Sequence, residues 1–424
     1  MSTRIRRLRN PLLDTLCHLE GNAKPCLLLE PLWGIPYNLY LPFVSVYMAA
    51  LGLSATEIGL VSTVFFASQM VWALLSGPLT DKLGRRVCTV IFDCLSWSVP
   101  ALLWMCAQNF WWFLVAAVFN GAWRVTENSW NLLMAEDAPP EKLVHYFSIA
   151  HVAGLIAGFV APIPYLFVQQ YTVVPTMRVH YGITFVMMTA KFLILFFTAG
   201  ETAVGKRRMA DTRGVSIFSY LMDSPRVLRN MLRDRRVMLT VGVVACFATV
   251  QNVYGTFWPL LVTDKLGIAT ENLSVFSTLK NILMLLCYFF VVPRIRLDRF
   301  ERPLLWNLGG LMAVHVLMAL LPAGPWAYSF VLGGVVLEAL TLSVLSPLTS
   351  SLQMVSAEGE ERARIMGWFY ALCLAVTSPF GVIAGALSEI NRVLPMCLNL
   401  ALLACGLGFS AGLARRQNQA QLSA

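Results

Sequence analysis

The chain has 424 residues, 57% of them hydrophobic and only 13% charged, and its mean hydropathy is +0.66. Soluble domains carry charge on roughly a quarter of their residues, so this composition excludes a soluble globular fold. The net charge of +9 is no sign of nucleic acid until the cations are placed, because a membrane chain gathers them on one side.

Residues 1–26 form a basic start with Arg4, Arg6, Arg7 and Arg9, interrupted by Glu20 and Lys24. They lack the apolar stretch and small-residue cleavage site of a secretory signal. Twelve stretches then reach the ~20 apolar residues that a membrane crossing needs. Called spans 1 to 12, they cover 27–50, 56–79, 86–107, 110–134, 144–169, 179–199, 237–263, 272–292, 303–322, 326–350, 363–388 and 391–413. A basic linker, 200–236, separates the first six from the last six, and 414–424 is a tail. The linker contains an amphipathic stretch, Ser216 to Val237, suited to lie on an anionic leaflet.

Placing the amino terminus in the cytoplasm puts 26 Lys and Arg residues inside and only Arg178, Lys265 and Arg392 outside. Arg124, Lys191 and Lys280 fall deep within spans, which completes the 32 once Arg86 and Arg364, at span edges, are counted inside. That asymmetry predicts both termini in the cytoplasm, in a plasma or inner membrane. The ten cysteines are scattered without metal-ligand spacing and read as apolar filler.

The chain repeats itself. Asn38-Leu39-Tyr40-Leu41-Pro42-Phe43 returns as Asn252-Val253-Tyr254-Gly255-Thr256-Phe257, and Ala55-Thr56-Glu57 returns as Ala269-Thr270-Glu271. One shared offset predicts a parallel duplication of six spans. Asn38 and Asn252, Tyr40 and Tyr254 are thereby equivalent, and they are candidate substrate contacts.

Between spans 2 and 3 stand Gly77, Asp81, Lys82, Gly84, Arg85 and Arg86. The spacing resembles the signature loop between helices 2 and 3 of the major facilitator superfamily. Its pattern is Gly, three residues, Asp, Lys or Arg, one residue, Gly, Arg, Arg or Lys. The counterpart in the second half, Pro293 to Arg299, keeps the basic charge and has lost the glycines. After span 4, Glu136-Asp137-Ala138-Pro139-Pro140-Glu141-Lys142 resembles the family's helix 4–5 loop. The resemblance implies a twelve-helix fold of two pseudo-symmetric bundles that rock around a central cavity. It also implies that Asp81, Arg85 and either Glu136 or Asp137 share a charge network at the cytoplasmic gate. The helix 5 motif of the family's antiporters is only partly present, in Gly154-x3-Gly158-x3-Pro162.

Ionisable groups at mid-bilayer are costly and face a cavity or one another. On span 4, Asn120, Arg124, Glu127 and Asn131 recur at i, i+4, i+7 and i+11, within an arc of about 60°. They form a polar stripe expected to bind substrate, joined by Lys280 of span 8. Glu338, midway along span 10, is the candidate proton site, with Lys280 as its partner and Glu127 as the second candidate. Asp93 and Lys191 are expected to pair structurally, and His151 and His315 to be plain core residues. Aromatics crowd spans 1, 4, 7 and 11, among them Trp33, Tyr37, Trp123, Trp130, Trp258, Trp368 and Tyr370. Gly154, Gly158, Gly381 and Gly385 mark seams where helices can approach closely.

No catalytic, ATP-binding or metal signature is present, so the chain reads as neither an enzyme nor an ATP-driven pump and needs no cofactor. The expected partners are the lipid bilayer, a small organic substrate and protons, with the chain acting as a monomer and without nucleic acid. The expected function is proton-coupled export by alternating access. Uptake of an anionic or sugar-like solute is the alternative, and a non-transporting receptor or scaffold is the rival of another class.

Overall fold

The computed structural model describes residues 11–214, 224–290, 301–355 and 362–422. Arg4, Arg6, Arg7 and Arg9, the start of the amphipathic stretch at Ser216 and the loop from Pro293 to Arg299 lie outside the described residues.

Among the described residues nine helices are apolar and long enough to cross a membrane, with Asn272–Cys287 as a shorter apolar helix. The other two expected spans are present but broken. Span 1 divides into Pro31–Tyr40 and Val44–Ala50 around a tight turn at Leu41–Phe43, where Pro42 withholds an amide. Span 4 divides into Phe110–Asn120 and Trp123–Ala135 around Gly121 and Ala122. Spans 5 and 11 also break, at Gly158–Val160 and just before Phe380, beside Pro162 and Pro379.

The helices pack as two halves. Within the first, spans 1 and 6, 3 and 4, and 2 and 4 are neighbours; within the second, span 7 packs on span 12 and span 9 on spans 10 and 12. Surface side chains are oily: Phe197, Trp306, Leu320 and Ile390 are all more than three-quarters exposed. In water that would be a liability; in lipid it costs nothing. The basic start is more than a loose leader. Leu19, Ala23, Cys26 and Leu27 pack against Leu133, Met134, Tyr146 and Leu195 of the first half.

The charged motif departs from the loop expected between spans 2 and 3. Span 2 stays helical from Ala55 to Leu83 and span 3 begins at Arg85. Gly84 alone makes the turn, with φ +82, a conformation that glycine reaches without strain. This end of the molecule is called the motif end below. The linker begins with a helix, Ala203–Asp211, and a second, Ser224–Arg233, leads to Asp234, whose carboxylate caps span 7 through Arg236 and Val237.

Candidate functional site

At the motif end Arg85 is buried, 3% exposed. Its guanidinium meets Asp81 at 3.0 Å and Glu136 at 2.9 Å, the second contact doubled by Nε donating to the same carboxylate. Thr202 donates to Glu136 at 2.6 Å, and Asp137 accepts the Ala203 amide. The expected network thus forms with Glu136 as its acid, while Asp137 fastens the linker helix. Lys82 is exposed, and Arg86 lies over the Phe196 ring at 5.0 Å.

Glu201 holds the same corner and escaped the sequence reading. Its carboxylate accepts the backbone amides of Arg85 at 2.8 Å and Arg86 at 3.0 Å. It fills the free donors and positive dipole end of span 3. A Cβ at Gly84 would come within 2.6 Å of that carboxylate. The available signal was a lone acid directly after the last apolar residue of span 6, followed by the helix-capping Thr202.

A cavity of about 680 Å³ opens at this end. Span 2 lines it with Ser76, Gly77 and Asp81, span 4 with Arg124, Glu127 and Asn131, and span 11 with Trp368 and Tyr370. Arg124 donates to Gln69 at 2.9 Å and pairs with Glu127 at 2.5 Å. Its guanidinium lies 4.5 Å from the Trp123 ring centre and 5.2 Å from that of Tyr370. The Tyr370 contact joins the two halves. Gln69, Asn128, Val204 and Arg208 were not singled out from sequence, yet Gln69 orients Arg124 and the other three line the cavity.

The span 4 stripe is split. Arg124, Glu127 and Asn131 face the cavity, but Asn120 is buried and donates to the Ser96 carbonyl of span 3 at 2.7 Å. The break at Gly121 and Ala122 rotates Asn120 out of the arc that a continuous helix would give. The duplicated residues are placed elsewhere as well. Asn38 donates to the Gly34 carbonyl of its own helix. Tyr40 is 3% exposed and packs on Tyr37, Trp104 and Tyr181. Tyr254, 5% exposed, packs on Trp258 and His315. Both tyrosines belong to cores, and none of these three lines the cavity. Asn252 accepts from Ser62 of span 2 at 2.9 Å, between the halves.

Lys280 and Glu338 meet as an ion pair away from the cavity; the Glu338 side chain is 2% exposed and that of Lys280 30%. His315 is buried, with its ring bonded to the Leu311 carbonyl and Asn399. His151, by contrast, is exposed on span 5. Lys191 makes its ion pair with Glu30 at 2.8 Å instead of with the expected Asp93, which lies near the same ammonium without pairing directly.

The opposite end is shut. A Cβ on Gly59 of span 2 would stand 2.1 Å from the Gly381 carbonyl oxygen, and one on Gly385 2.5 Å from that of Ala55. Ser378 donates to the Thr63 carbonyl, and the Thr63 hydroxyl accepts the Val382 amide, both at 2.9 Å. Gly158 of span 5 abuts the side chain of Asn281 of span 8.

Two six-span halves, closed on each other at one end and enclosing at the other a cavity lined by both, match a known architecture. The sequence model of the Major Facilitator Superfamily matches residues 33–382. The chain belongs to the Major Facilitator Superfamily. Relatives within the superfamily include Multidrug resistance protein MdtG of Serratia proteamaculans (strain 568), 24% identical over 225 residues, 51% of this chain and 53% of the relative. MdtG of Salmonella paratyphi A (strain ATCC 9150 / SARB42) is 26% identical over 226 residues, 51% and 54%. The match therefore spans about half the length of these curated relatives. Among superfamily structures, the nucleoside transporter NupG aligns with TM-score 0.70 at 12% identity, covering 93% of this chain and 99% of that one. The human organic anion transporter MFSD10 aligns with TM-score 0.63 at 15% identity, covering 95% and 100%. At these identities the structural likeness establishes the twelve-helix fold.

Proposed function

We propose that the protein is a secondary active transporter that exports a small organic solute by alternating access, with protons moving in return. The observation that carries this reading is the cavity between the halves at the motif end, facing a closed seam at the other. Such a molecule can load from one side only until its halves rock. The cation count makes the motif end cytoplasmic, so the cavity opens toward the side from which an exporter loads. The partial relatives named as multidrug resistance proteins favour the same direction. We take the membrane to be a plasma or inner membrane, the termini to be cytoplasmic and the unit to be a monomer.

Arg124, Glu127, Asn131, Trp368 and Tyr370 are the proposed substrate contacts. Mixed charge beside aromatic faces suits a solute with both polar and planar parts. Anion uptake has less support, because Arg124 and Lys280 each carry their own carboxylate and offer no free positive charge. Glu338 is the proposed coupling site. It is buried and paired with a lysine on another helix, with Tyr254 beside it, an ion pair that protonation would release.

A thermal-shift screen on the purified protein should find a ligand, and R124A should weaken its binding. In proteoliposomes, that ligand should move faster with a proton gradient than without. E338Q should retain substrate exchange and lose gradient-driven accumulation. Accumulation at the wild-type level in E338Q would make Glu338 structural and pass the role to Glu127. Transport indifferent to the gradient would overturn proton coupling.

A further inference from the structure

Each half of the molecule pairs a lysine with a carboxylate inside the membrane. In the second half Lys280 answers to Glu338. In the first half Lys191 answers to two acids. Its ammonium makes its direct ion pair with Glu30, and Asp93 lies beside the same ammonium. Asp93 and Lys191 are 3% and 4% exposed, and the Glu30 side chain, at 17%, is the member closest to water.

Among the described residues no second cation acts on Asp93. The Trp33 and Trp130 rings flank the ammonium at 5.9 Å each. Cys26, fully buried, packs against the cluster from the amino-terminal helix, and Cys94 follows Asp93 on its own span. Thr126 of span 4 lies near Asp93, its buried hydroxyl without a hydrogen-bond partner among the described residues in this state. Lys191 is the cation that acts on Asp93. With every group ionised, two negative charges would share one positive charge in apolar surroundings. A buried charge without a partner is among the costliest features a fold can carry. A single proton restores neutrality, and Asp93, deeper and without the direct ion pair, is where it belongs.

We propose that Asp93 holds a proton at rest, and that the Glu30–Lys191–Asp93 cluster exchanges it as a second proton site of the transport cycle. A proton from water binds Glu30, the Glu30–Lys191 pair opens, the ammonium turns to Asp93, and Asp93 releases its own proton. One proton enters and one leaves, so the cluster stays neutral. Span 4 joins this event to the cavity: Thr126 and Trp130 face the cluster, while Glu127 and Asn131 line the cavity. Asp93 also opens onto the π-helical stretch Cys94–Ser98, a local irregularity found often at functional sites.

The transport arm of the test rests on the proton-coupled reading above; the spectroscopic arm does not. Infrared spectra of the purified full-length protein at neutral pH should contain the carbonyl stretch of a protonated carboxyl. The band should vanish in D93N and persist in E338Q. It should vanish in E30Q too, because Asp93 then ionises to pair with Lys191; that variant keeps the test alive if D93N does not fold. Asparagine resembles a protonated aspartate, so D93N should melt with the wild type at neutral pH. A band that survives D93N or E30Q, or a D93N protein that melts far below wild type, would overturn the resting proton. In proteoliposomes under an imposed gradient of one pH unit, D93N should retain exchange and lose about tenfold in gradient-driven accumulation, the driving force of one coupled proton. Full accumulation in D93N would overturn the exchange role. A wild type blind to the gradient would instead overturn proton coupling, with the infrared result still deciding Asp93.

Discussion

Glu389 reaches across the molecule to Thr56: its Oε1 accepts the Thr56 backbone amide at 3.0 Å, tying the end of span 11 to the first turn of span 2. That turn already satisfies two donors through the reciprocal Ser54–Glu57 capping box. Glu389 takes another of the free amides, favoured by the positive end of the helix. The acceptor comes from one half and the donor from the other, so the bond exists only while this end is shut.

Removing that acceptor should loosen the closed end. With reactive native cysteines replaced, Ile58→Cys, buried behind the contact, should react faster with a membrane-impermeant thiol reagent when Glu389→Ala is added. Equal rates in both backgrounds would show that the glycine seam holds this end without help.

The seam itself should resist a single added methyl. Gly59→Ala would place a Cβ 2.1 Å from the Gly381 carbonyl oxygen, and backbone cannot step aside as a flexible side chain can. Overpacking of this kind costs about 1–3 kcal/mol. The protein should fold, because each half also keeps a core cluster of its own, but should favour the state parted at this end. Spin labels on spans 2 and 11 at this end should report longer distances than in wild type; unchanged distances would count against the seam as a gate.

Arg85 should matter more to stability than either of its acids. Arg85→Ala leaves Asp81 and Glu136 facing each other without their cation; breaking a buried pair this way costs about 3–5 kcal/mol. Arg85→Lys keeps the charge but not the forked contact to Glu136 and should fall between. Glu136→Gln should be milder, since Asp81 still serves the guanidinium. Thermal melts in detergent rank these variants, and a Glu136→Gln protein weaker than Arg85→Ala would refute the order.

Glu127 and Asn120 should behave oppositely although one helical arc first grouped them. The Glu127 side chain is 40% exposed to the cavity, while Asn120 is 8% exposed and bonded to Ser96. An impermeant thiol reagent applied at the motif end should label Glu127→Cys and spare Asn120→Cys. Labelling of both would mean that span 4 runs straight.

The spans, the duplication and the Gly77–Arg86 motif were legible because each is local: a run of apolar residues, a fixed offset, a fixed spacing. The Arg85–Glu136 pair was legible through family resemblance. The stripe failed at Asn120 because the arc assumed a continuous helix, and Gly121 gave too weak a warning. Tyr40 and Tyr254, expected as substrate contacts, sit in cores instead, because helical position alone does not say whether a tyrosine faces a cavity or a neighbouring helix. Glu30 and Glu201 were missed for a shared reason. Each stands at the edge of a span and finds its partner on a helix distant in sequence, Lys191 for one and the start of span 3 for the other.

The closed seam has a further property. Where Gly59, Gly381 and Gly385 meet, main chain touches main chain, so there is no side chain to remove. A truncation scan would pass over this surface in silence. At these three glycines only enlargement can disturb it, and the disturbance would be a shift in which face the carrier shows rather than a loss of protein. Variants that harm transport here should therefore be ones that gain atoms, and they should arrive in the membrane in normal amounts.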